Sequence, residues 1–365
     1  MMCVRARAPG KLMLMGEYAV TEPGHVGLVA AVDRYLYCQV TSGNTFSASF
    51  GTTSRVEADG WGRLVDRLTE DPDLKLASRV LALLDRYFWE LHCAPRPFQL
   101  ATTSELRAPS GEKYGLGSSA AATAAMVAAL LQWTLPRSPR PQEIFKLASL
   151  AHFSAQPRGS LADVAASVFG GLLHYQRVDP EWLYQAMSSH ALPELIARPW
   201  PGLAVQTLDA WRAPLWLVGW TGRAASTPAL LGHAAQFRAR HPDVFNRFLS
   251  QSDAAVAAFI QALHTDDGPQ FMAAVRKNRQ ALAEFSDRAQ LQIETPMMTK
   301  ALEMAEQWGG AGKSSGAGGG DIIVAWMPES QRSRLGQAWN RQGIELLAVN
   351  LDTVGVVLSD ADDFE

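Results

Sequence analysis

The sequence has no strong charge of one sign and no long apolar run, and each absence excludes a class of partner. Its 33 basic and 36 acidic residues give a formal net charge of −3, so no overall field attracts the chain to nucleic acid or to an anionic membrane. No stretch of about 20 apolar residues is present to span a bilayer. The start of the sequence also lacks the apolar core of a signal peptide. We therefore expect neither nucleic acid nor membrane as a partner, and any anion site must be local.

Cysteine is scarce as well. Cys3, Cys38 and Cys93 are widely spaced and match no metal-ligand pattern, which is typical of free thiols in a reducing compartment. We expect a soluble, cytoplasmic protein. The 365 residues, 47% of them hydrophobic and 19% charged, have ordinary globular composition and are enough for two domains or one large α/β unit.

The run Gly115–Ala125 is the most informative segment, because a glycine-rich turn leads directly into an alanine-rich helix. Glycines adopt unusual backbone angles and let main-chain N–H groups approach a ligand closely. The start of the helix adds unpaired N–H groups and the positive end of its dipole. A polyphosphate is the predicted ligand, and an ordinary turn that caps a core helix is the alternative. The residues predicted to hold it are Lys113, Gly115, Leu116, Gly117, Ser118, Ser119 and Ala120.

This turn belongs to neither of two common nucleotide-binding motifs. No Gly-Lys-Ser/Thr closes it, as in a Walker-type loop, and it lacks the Gly-x-Gly-x-x-Gly spacing of dinucleotide folds. The hydroxyl of Ser119 can reach a metal ion or cap the helix.

Two further segments make the interpretation specific. One is Ala8–Val20, which contains Lys11, Glu17 and Tyr18, and the other is the glycine-rich Lys313–Asp321. In this order, the three segments resemble the signature motifs of the GHMP small-molecule kinase superfamily, which includes galactokinase, homoserine kinase, mevalonate kinase and phosphomevalonate kinase. The resemblance spans nearly the whole chain. It implies phosphoryl transfer from ATP with Mg²⁺, and Ser119 as the metal-facing serine.

The resemblance also implies a two-domain α+β fold, with an N-terminal ribosomal-protein-like α/β domain and a C-terminal ferredoxin-like α+β domain. The periodicity of the sequence alone predicts only α+β. The segment between about 178 and 212 is rich in proline and tryptophan, which indicates a domain boundary. We therefore divide the chain into 1–200 and 201–365. The first part is predicted to hold nucleotide phosphates and catalytic groups, and the second to complete the acceptor site. The tryptophan-rich region suggests an exposed apolar patch, either a pocket lining or a homodimer contact.

The resemblance assigns the chemistry to Asp163 and Lys11. Asp163 matches the aspartate regarded as catalytic in mevalonate-pathway kinases, although Leu161 stands where glycine is usual there. An aspartate before an apolar helix can also be a simple N-cap. Lys11 is implied to lie beside this aspartate and the transferring phosphate, where it neutralises charge. A solvated charge at a strand end is the alternative for Lys11.

Details around the turn resemble the phosphomevalonate kinases most. A lysine beside the turn, Lys113, suits an acceptor that already bears a phosphate. His152 stands eleven residues before Asp163, where mevalonate kinases have a metal-binding glutamate, and we interpret it as a core or cleft-edge histidine rather than a ligand. The implied reaction converts 5-phosphomevalonate to its diphosphate. Mevalonate or a sugar is the alternative acceptor within the superfamily, and an inactive nucleotide-binding homologue is an alternative of another class.

The remaining candidates are polar or glycine residues of loops. Lys313 can neutralise phosphate or be solvated, and Glu17 and Tyr18 have no assigned role. The predicted substrate contacts are Glu17, Tyr18, Lys113, Arg158, Ser160, Thr221, Arg223, Ser226, Thr227, Lys313, Ser315, Gly316, Ala317, Gly318 and Gly319.

Overall fold

The computed structural model describes residues 2–51, 55–209, 216–223 and 227–359. Ser226, one of the predicted substrate contacts, lies outside them. The strands are β1 (Cys3–Met15), β2 (Val26–Ser42), β3 (Phe46–Phe50), β4 (Val56–Ala58), β5 (Phe98–Ser104), β6 (Leu172–Gln176), β7 (Ala204–Leu208), β8 (Trp216–Trp220), β9 (Ala311–Ser315), β10 (Ile322–Trp326), β11 (Glu345–Leu347) and β12 (Val357–Ser359). The α-helices are α1 (Trp61–Thr69), α2 (Lys75–Glu90), α3 (Ser118–Thr134), α4 (Pro141–Ala155), α5 (Ala162–Phe169), α6 (Pro180–Ser189), α7 (Leu192–Ala197), α8 (Thr227–Arg240), α9 (Pro242–Thr265), α10 (Gly268–Ala289), α11 (Pro296–Gln307) and α12 (Glu329–Arg341).

A large sheet is built around the long antiparallel pair of β1 and β2. Its order is β12-β1-β2-β5-β3-β4, with β6 also paired to β2 and β7 paired to β6. Only the β3–β5 pairing is parallel among the strands described. Helix α3 packs on β1 and β2 and contacts α2, α4 and α5 on its other sides. Because α3 is apolar nearly all round and rich in alanine, it lies buried in the core, and its first turn is held at a fixed place.

A second, four-stranded antiparallel sheet has the order β11-β8-β10-β9. Along the chain, its elements follow a β-α-β-β-α-β arrangement, with α8 to α11 between β8 and β9 and α12 between β10 and β11. The side chains of β10 alternate between two cores. Ile323 packs with residues of α11 and α12, whereas Trp326 contacts Phe259 of α9 and Phe271 of α10. The predicted α+β class with a ferredoxin-like part is confirmed.

The division of the chain at residue 200 stays a prediction. Two strands that follow this position, β7 and β12, belong to the large sheet, where Arg5 of β1 lies opposite Ser359 of β12. No helix of the described part is both long and apolar enough to cross a membrane.

Candidate active site

A cavity of about 670 Å³ opens where the three glycine-containing segments meet. Lys11 of β1 lines it, together with the turn before α3 and the loop after β9. Asp163, at the start of α5, lies in the same wall. The three segments are about 100 and 200 residues apart in the sequence, and the fold brings them to one place. This convergence is what the sequence motifs predict.

The turn before α3 has the geometry of an anion site. Gly115 and Gly117 have φ of 88° and 79°, in the left-handed region that glycine adopts without strain. Gly117 is the N-cap of α3, and none of the described side chains caps its first turn. The first N–H groups of α3 are therefore available to a ligand. Ser118 and Ser119 line the cavity from within this turn, so the alternative of Ser119 as N-cap is wrong.

Lys11 lies between two glycine-rich loops. Its N–H donates to the carbonyl of Leu116 at 2.8 Å, which fixes β1 to the turn. A Cβ built at Gly117 would lie 2.8 Å from Cγ of Lys11, and one at Gly316 would lie 3.7 Å from Nζ. The ammonium group is thus held beside the turn and the loop after β9. On the other side of the turn, a Cβ at Gly115 would lie 2.8 Å from Cβ of Asp321.

Asp163 and Ser119 both reach the imidazole of His152. Nε2 of His152 lies 3.5 Å from Oγ of Ser119 and 3.9 Å from Oδ2 of Asp163. The predicted carboxylate and the phosphate turn are therefore close neighbours. Leu161 is the N-cap of α5, so Asp163 stands inside the first turn and its N-cap alternative is wrong. The three groups do not form a nucleophilic triad, because both partners face the same ring nitrogen.

Arg158, Ser160 and Thr227, three of the predicted substrate contacts, also line the cavity. The guanidinium of Arg158 lies near α8, where a Cβ built at Gly232 would be 3.4 Å from it. Lys113 is exposed and also lines the cavity.

Other predicted substrate contacts do not line the cavity. They lie beneath its surface, where they hold the lining segments in place. Thr221 donates its hydroxyl to the carbonyl of Gly320, and Oγ of Ser315 accepts the N–H of Met13 at 2.9 Å. A Cβ at Gly318 would lie 2.3 Å from the carbonyl oxygen of Ile293, so this glycine allows two loops to touch. The lining, as far as the described residues define it, includes Gly316 and Ala317 but not Leu116, Ala120, Thr221, Arg223, Lys313, Ser315, Gly318 or Gly319.

Comparisons with known proteins agree with this geometry. The model of the GHMP kinases N terminal domain matches residues 75–171, and the model of the GHMP kinases C terminal domain matches residues 259–345. A phosphomevalonate kinase from a Streptomyces species is 35% identical over 92% of this chain and 94% of its own length.

The chain is a GHMP kinase.

Two solved structures resemble this GHMP kinase over its whole length. The Lin0012 protein from Listeria innocua has a TM-score of 0.89 and 30% identity, covering 98% of this chain and 99% of that one. The Streptococcus pneumoniae phosphomevalonate kinase in complex with phosphomevalonate and AMPPNP has a TM-score of 0.82 and 26% identity, covering 96% of this chain and all (100%) of that one.

Leu161 has a backbone conformation that usually favours glycine. Its φ of 68° and ψ of 6° are left-handed, and its side chain is only 1% exposed. A left-handed conformation costs an L-residue about 1–2 kcal/mol. Burial of a leucine side chain contributes about 1.5–3 kcal/mol, which offsets this strain. A leucine is therefore tolerated at the N-cap of α5 in this GHMP kinase.

Glu17 and Lys313 form a buried ion pair at the back of the cavity. Nζ of Lys313 donates to Oε1 of Glu17 and, at 2.6 Å, to the carbonyl of Ser314. Burial raises the pKa of Glu17 and lowers the pKa of Lys313, while their mutual attraction opposes both changes. Lys313 is thus not solvated, in contrast to one of its two predicted roles, and its charge is directed at Glu17.

Tyr18, the next residue after Glu17, joins the same contact region. Its hydroxyl donates to the carbonyl of Ala317 at 2.6 Å, and its ring packs edge-on against Phe285 with centroids 5.4 Å apart. Both Glu17 and Tyr18 line the cavity. Glu17 and Tyr18 therefore hold β9 and the loop that follows it against the loop after β1.

Sequence reasoning missed two features of the site. His152 is buried and lines the cavity, as expected of a core or cleft-edge histidine, but the sequence does not show that its ring lies beside both Ser119 and Asp163. The second is Arg177, whose buried guanidinium donates to the carbonyls of Thr21 and Pro157, two residues of the cavity lining. For His152, the spacing of eleven residues from Asp163 was a signal in the sequence. No local pattern marks Arg177.

Proposed function

We propose that this GHMP kinase transfers the γ-phosphoryl group of ATP to 5-phosphomevalonate and forms 5-diphosphomevalonate and ADP. The observation that carries the proposal is the shared cavity of the phosphate turn and Asp163, into which Lys11, Lys113 and Arg158 also face. Two anionic substrates need more than one cation nearby. Lys11, Lys113 and Arg158 supply positive charge from different segments of the cavity lining. The names of the relatives support the same acceptor, since the Streptomyces enzyme and the Streptococcus pneumoniae enzyme are both phosphomevalonate kinases.

Phosphoryl transfer requires mainly positioning and charge neutralisation. The N–H groups at the start of α3 and the ammonium of Lys11 would hold the β- and γ-phosphates. An oxygen of the acceptor phosphate attacks the γ-phosphorus in line, and the bond from that phosphorus to the bridging oxygen of ADP breaks. Because the second pKa of a phosphate monoester is about 6, the attacking oxygen is mostly ionised at neutral pH. Asp163 would take the proton of an acceptor that binds as the monoanion, and Lys11 would offset the repulsion between this carboxylate and the acceptor phosphate.

The site suits Mg²⁺ carried by the nucleotide. Mg²⁺ in kinases is usually held by substrate phosphates, waters and one or two protein oxygens. Oγ of Ser119 lines the cavity beside the turn, and the described residues contain no group of three or more His, Cys, Asp or Glu that would form a metal centre by itself. When bound, the ion would neutralise charge on the β- and γ-phosphates. Ser119 is the residue that would hold it.

We further propose that residues 1–200 hold the nucleotide phosphates and the catalytic pair and that 201–365 complete the acceptor site. Thr227 and Gly316 support this division, because both line the cavity from the second part. The homodimer and the cytoplasmic location also stay predictions.

The test is ADP release measured by a coupled assay with mevalonate, 5-phosphomevalonate and a panel of sugars. We expect turnover with 5-phosphomevalonate and at most weak turnover with the others. Turnover with an unphosphorylated alcohol alone would contradict the proposal. Nucleotide-dependent thermal stabilisation without turnover, unchanged by Asp163→Asn, would instead identify an inactive nucleotide-binding homologue.

A further inference from the structure

His152 is the buried junction between three helices of the site. It lies on α4 with 2% of its surface exposed, and its Nε2 faces Ser119 of α3 and Asp163 of α5. Its other ring nitrogen, Nδ1, is buried and has no hydrogen-bond partner within the described part of the chain. The two nitrogens therefore have very different surroundings, and this difference decides where the proton lies.

A neutral imidazole carries its proton on one nitrogen, and the other nitrogen is an acceptor. A proton on Nδ1 would leave a buried N–H group without an acceptor, which is rare in folded proteins and costs about 1–3 kcal/mol. A proton on Nε2 instead points between a carboxylate oxygen and a hydroxyl oxygen. The hydrogen-bond surroundings of His152 therefore favour the Nε2–H tautomer.

The same surroundings argue against His152 as a metal ligand. A ligating histidine almost always donates its second ring N–H to a carboxylate, a carbonyl or water, which fixes the ring. Nδ1 has no such partner among the described groups. Moreover, Mg²⁺ prefers oxygen ligands to imidazole nitrogen.

We propose that His152 is a positioning residue. Its Nε2–H group holds the carboxylate of Asp163 toward the acceptor and at a fixed distance from the hydroxyl of Ser119. This role rests on the proposed kinase function. The present 3.9 Å between Nε2 and Oδ2 is longer than a hydrogen bond. Catalytic hydrogen bonds commonly shorten in substrate complexes, and a small rotation of Asp163 is enough here.

The kinetic test compares His152→Gln with His152→Leu at saturating Mg²⁺. The amide nitrogen of glutamine can donate from near the position of Nε2, whereas leucine fills similar space without a donor. We expect His152→Leu to lower kcat about 10–100-fold with little change in either KM, as for other residues that orient a reacting group. His152→Gln should stay within about fivefold of wild type. His174→Leu, a histidine of β6 away from this cavity, is the matched control.

The second measurement is independent of any acceptor. Long-range ¹H–¹⁵N NMR of ¹⁵N-histidine-labelled protein reports the tautomer, and the His152 signals are assigned by their loss in His152→Gln. We expect the Nε2–H pattern. The Nδ1–H pattern would overturn the proposal, as would equal loss of kcat in both variants. A higher Mg²⁺ requirement with unchanged kcat at saturation would overturn it in favour of metal ligation.

The two proposals fail in different ways. If wild-type protein does not phosphorylate 5-phosphomevalonate, the acceptor assignment fails while the NMR result still tests His152. If His152→Leu does not fold, the wild-type tautomer still decides.

Discussion

Glu17 and Lys313 are 296 residues apart in the sequence and form an ion pair that is almost completely buried. The pair joins the loop after β1 to strand β9, and so links the two sheets. The same loop also contacts two helices. Glu22 pairs with Arg238 of α8, and Nδ1 of His25 lies 2.7 Å from Oδ2 of Asp253 in α9. The loop between β1 and β2 thus makes polar contacts with β9, α8 and α9.

Removing one partner of this pair should be costly. Lys313→Met leaves the buried carboxylate of Glu17 without its counter-charge, and breaking a buried pair in this way typically costs about 3–5 kcal/mol. We expect a loss of that size in the free energy of unfolding, measured by urea denaturation. The double variant Glu17→Gln with Lys313→Met should lose less, because neither charge remains buried. Equal losses in the single and double variants would contradict this account.

Leu161 allows a sharper test of backbone strain. Both Leu161→Gly and Leu161→Ala remove buried apolar surface. For the alanine variant, the expected loss in the free energy of unfolding is about 2–5 kcal/mol. Only glycine also relieves the left-handed strain. We therefore expect the glycine variant to be more stable than the alanine variant by about 1 kcal/mol, the reverse of the usual order. Thermal denaturation of both proteins checks this, and an alanine variant that is the more stable of the two would refute it.

Lys113 is expected to recognise the acceptor phosphate. Lys113→Met should raise the KM for 5-phosphomevalonate about tenfold or more and the KM for ATP much less, because a charge-assisted contact to one substrate is lost. Steady-state kinetics with each substrate varied in turn measures the split. Lys75→Met, at an exposed lysine of α2 outside the cavity lining, is the control and should change neither constant. Equal effects of Lys113→Met on both substrates would reject this role.

His174 should make stability depend on pH. Burial lowers the pKa of His174 from its ordinary 6.5, so the unfolded chain takes up a proton at a higher pH than the folded protein. The contribution of His174 to stability is therefore complete above about pH 6.5 and is lost as the pH falls toward the folded pKa. Urea denaturation between pH 5 and 8 measures the slope. We expect His174→Leu to flatten it over this range, and an unchanged slope would show that other groups cause it.

The parts of the site that were predictable are those in which local sequence determines geometry. Gly115 and Gly117 before an alanine-rich helix already specify a turn that binds anions, and Lys11, Asp163 and Gly316 were placed by motifs in the correct order. The ferredoxin-like part was implied by the resemblance, because its β-α-β-β-α-β order has a weak signal in periodicity.

The parts that were not predictable depend on contacts between distant segments. No local pattern shows that Lys313 faces Glu17, that Thr221 binds the carbonyl of Gly320, or that Arg177 bridges Thr21 and Pro157. Polar side chains of these kinds are usually solvated. Only the packing of the two sheets buries these three beside the cavity. His152 lies between these cases, since its spacing from Asp163 was visible but its contacts were not.

The pairing of β1 with β12 has a consequence for how the protein is made. The edge of β1 at Arg5–Arg7 cannot be covered by β12 until residues 357–359 have left the ribosome, because this strand is synthesised more than 340 residues later. An uncovered strand edge is a template for pairing with other chains. This short edge of β1 is therefore open to other chains during synthesis until β12 pairs with it.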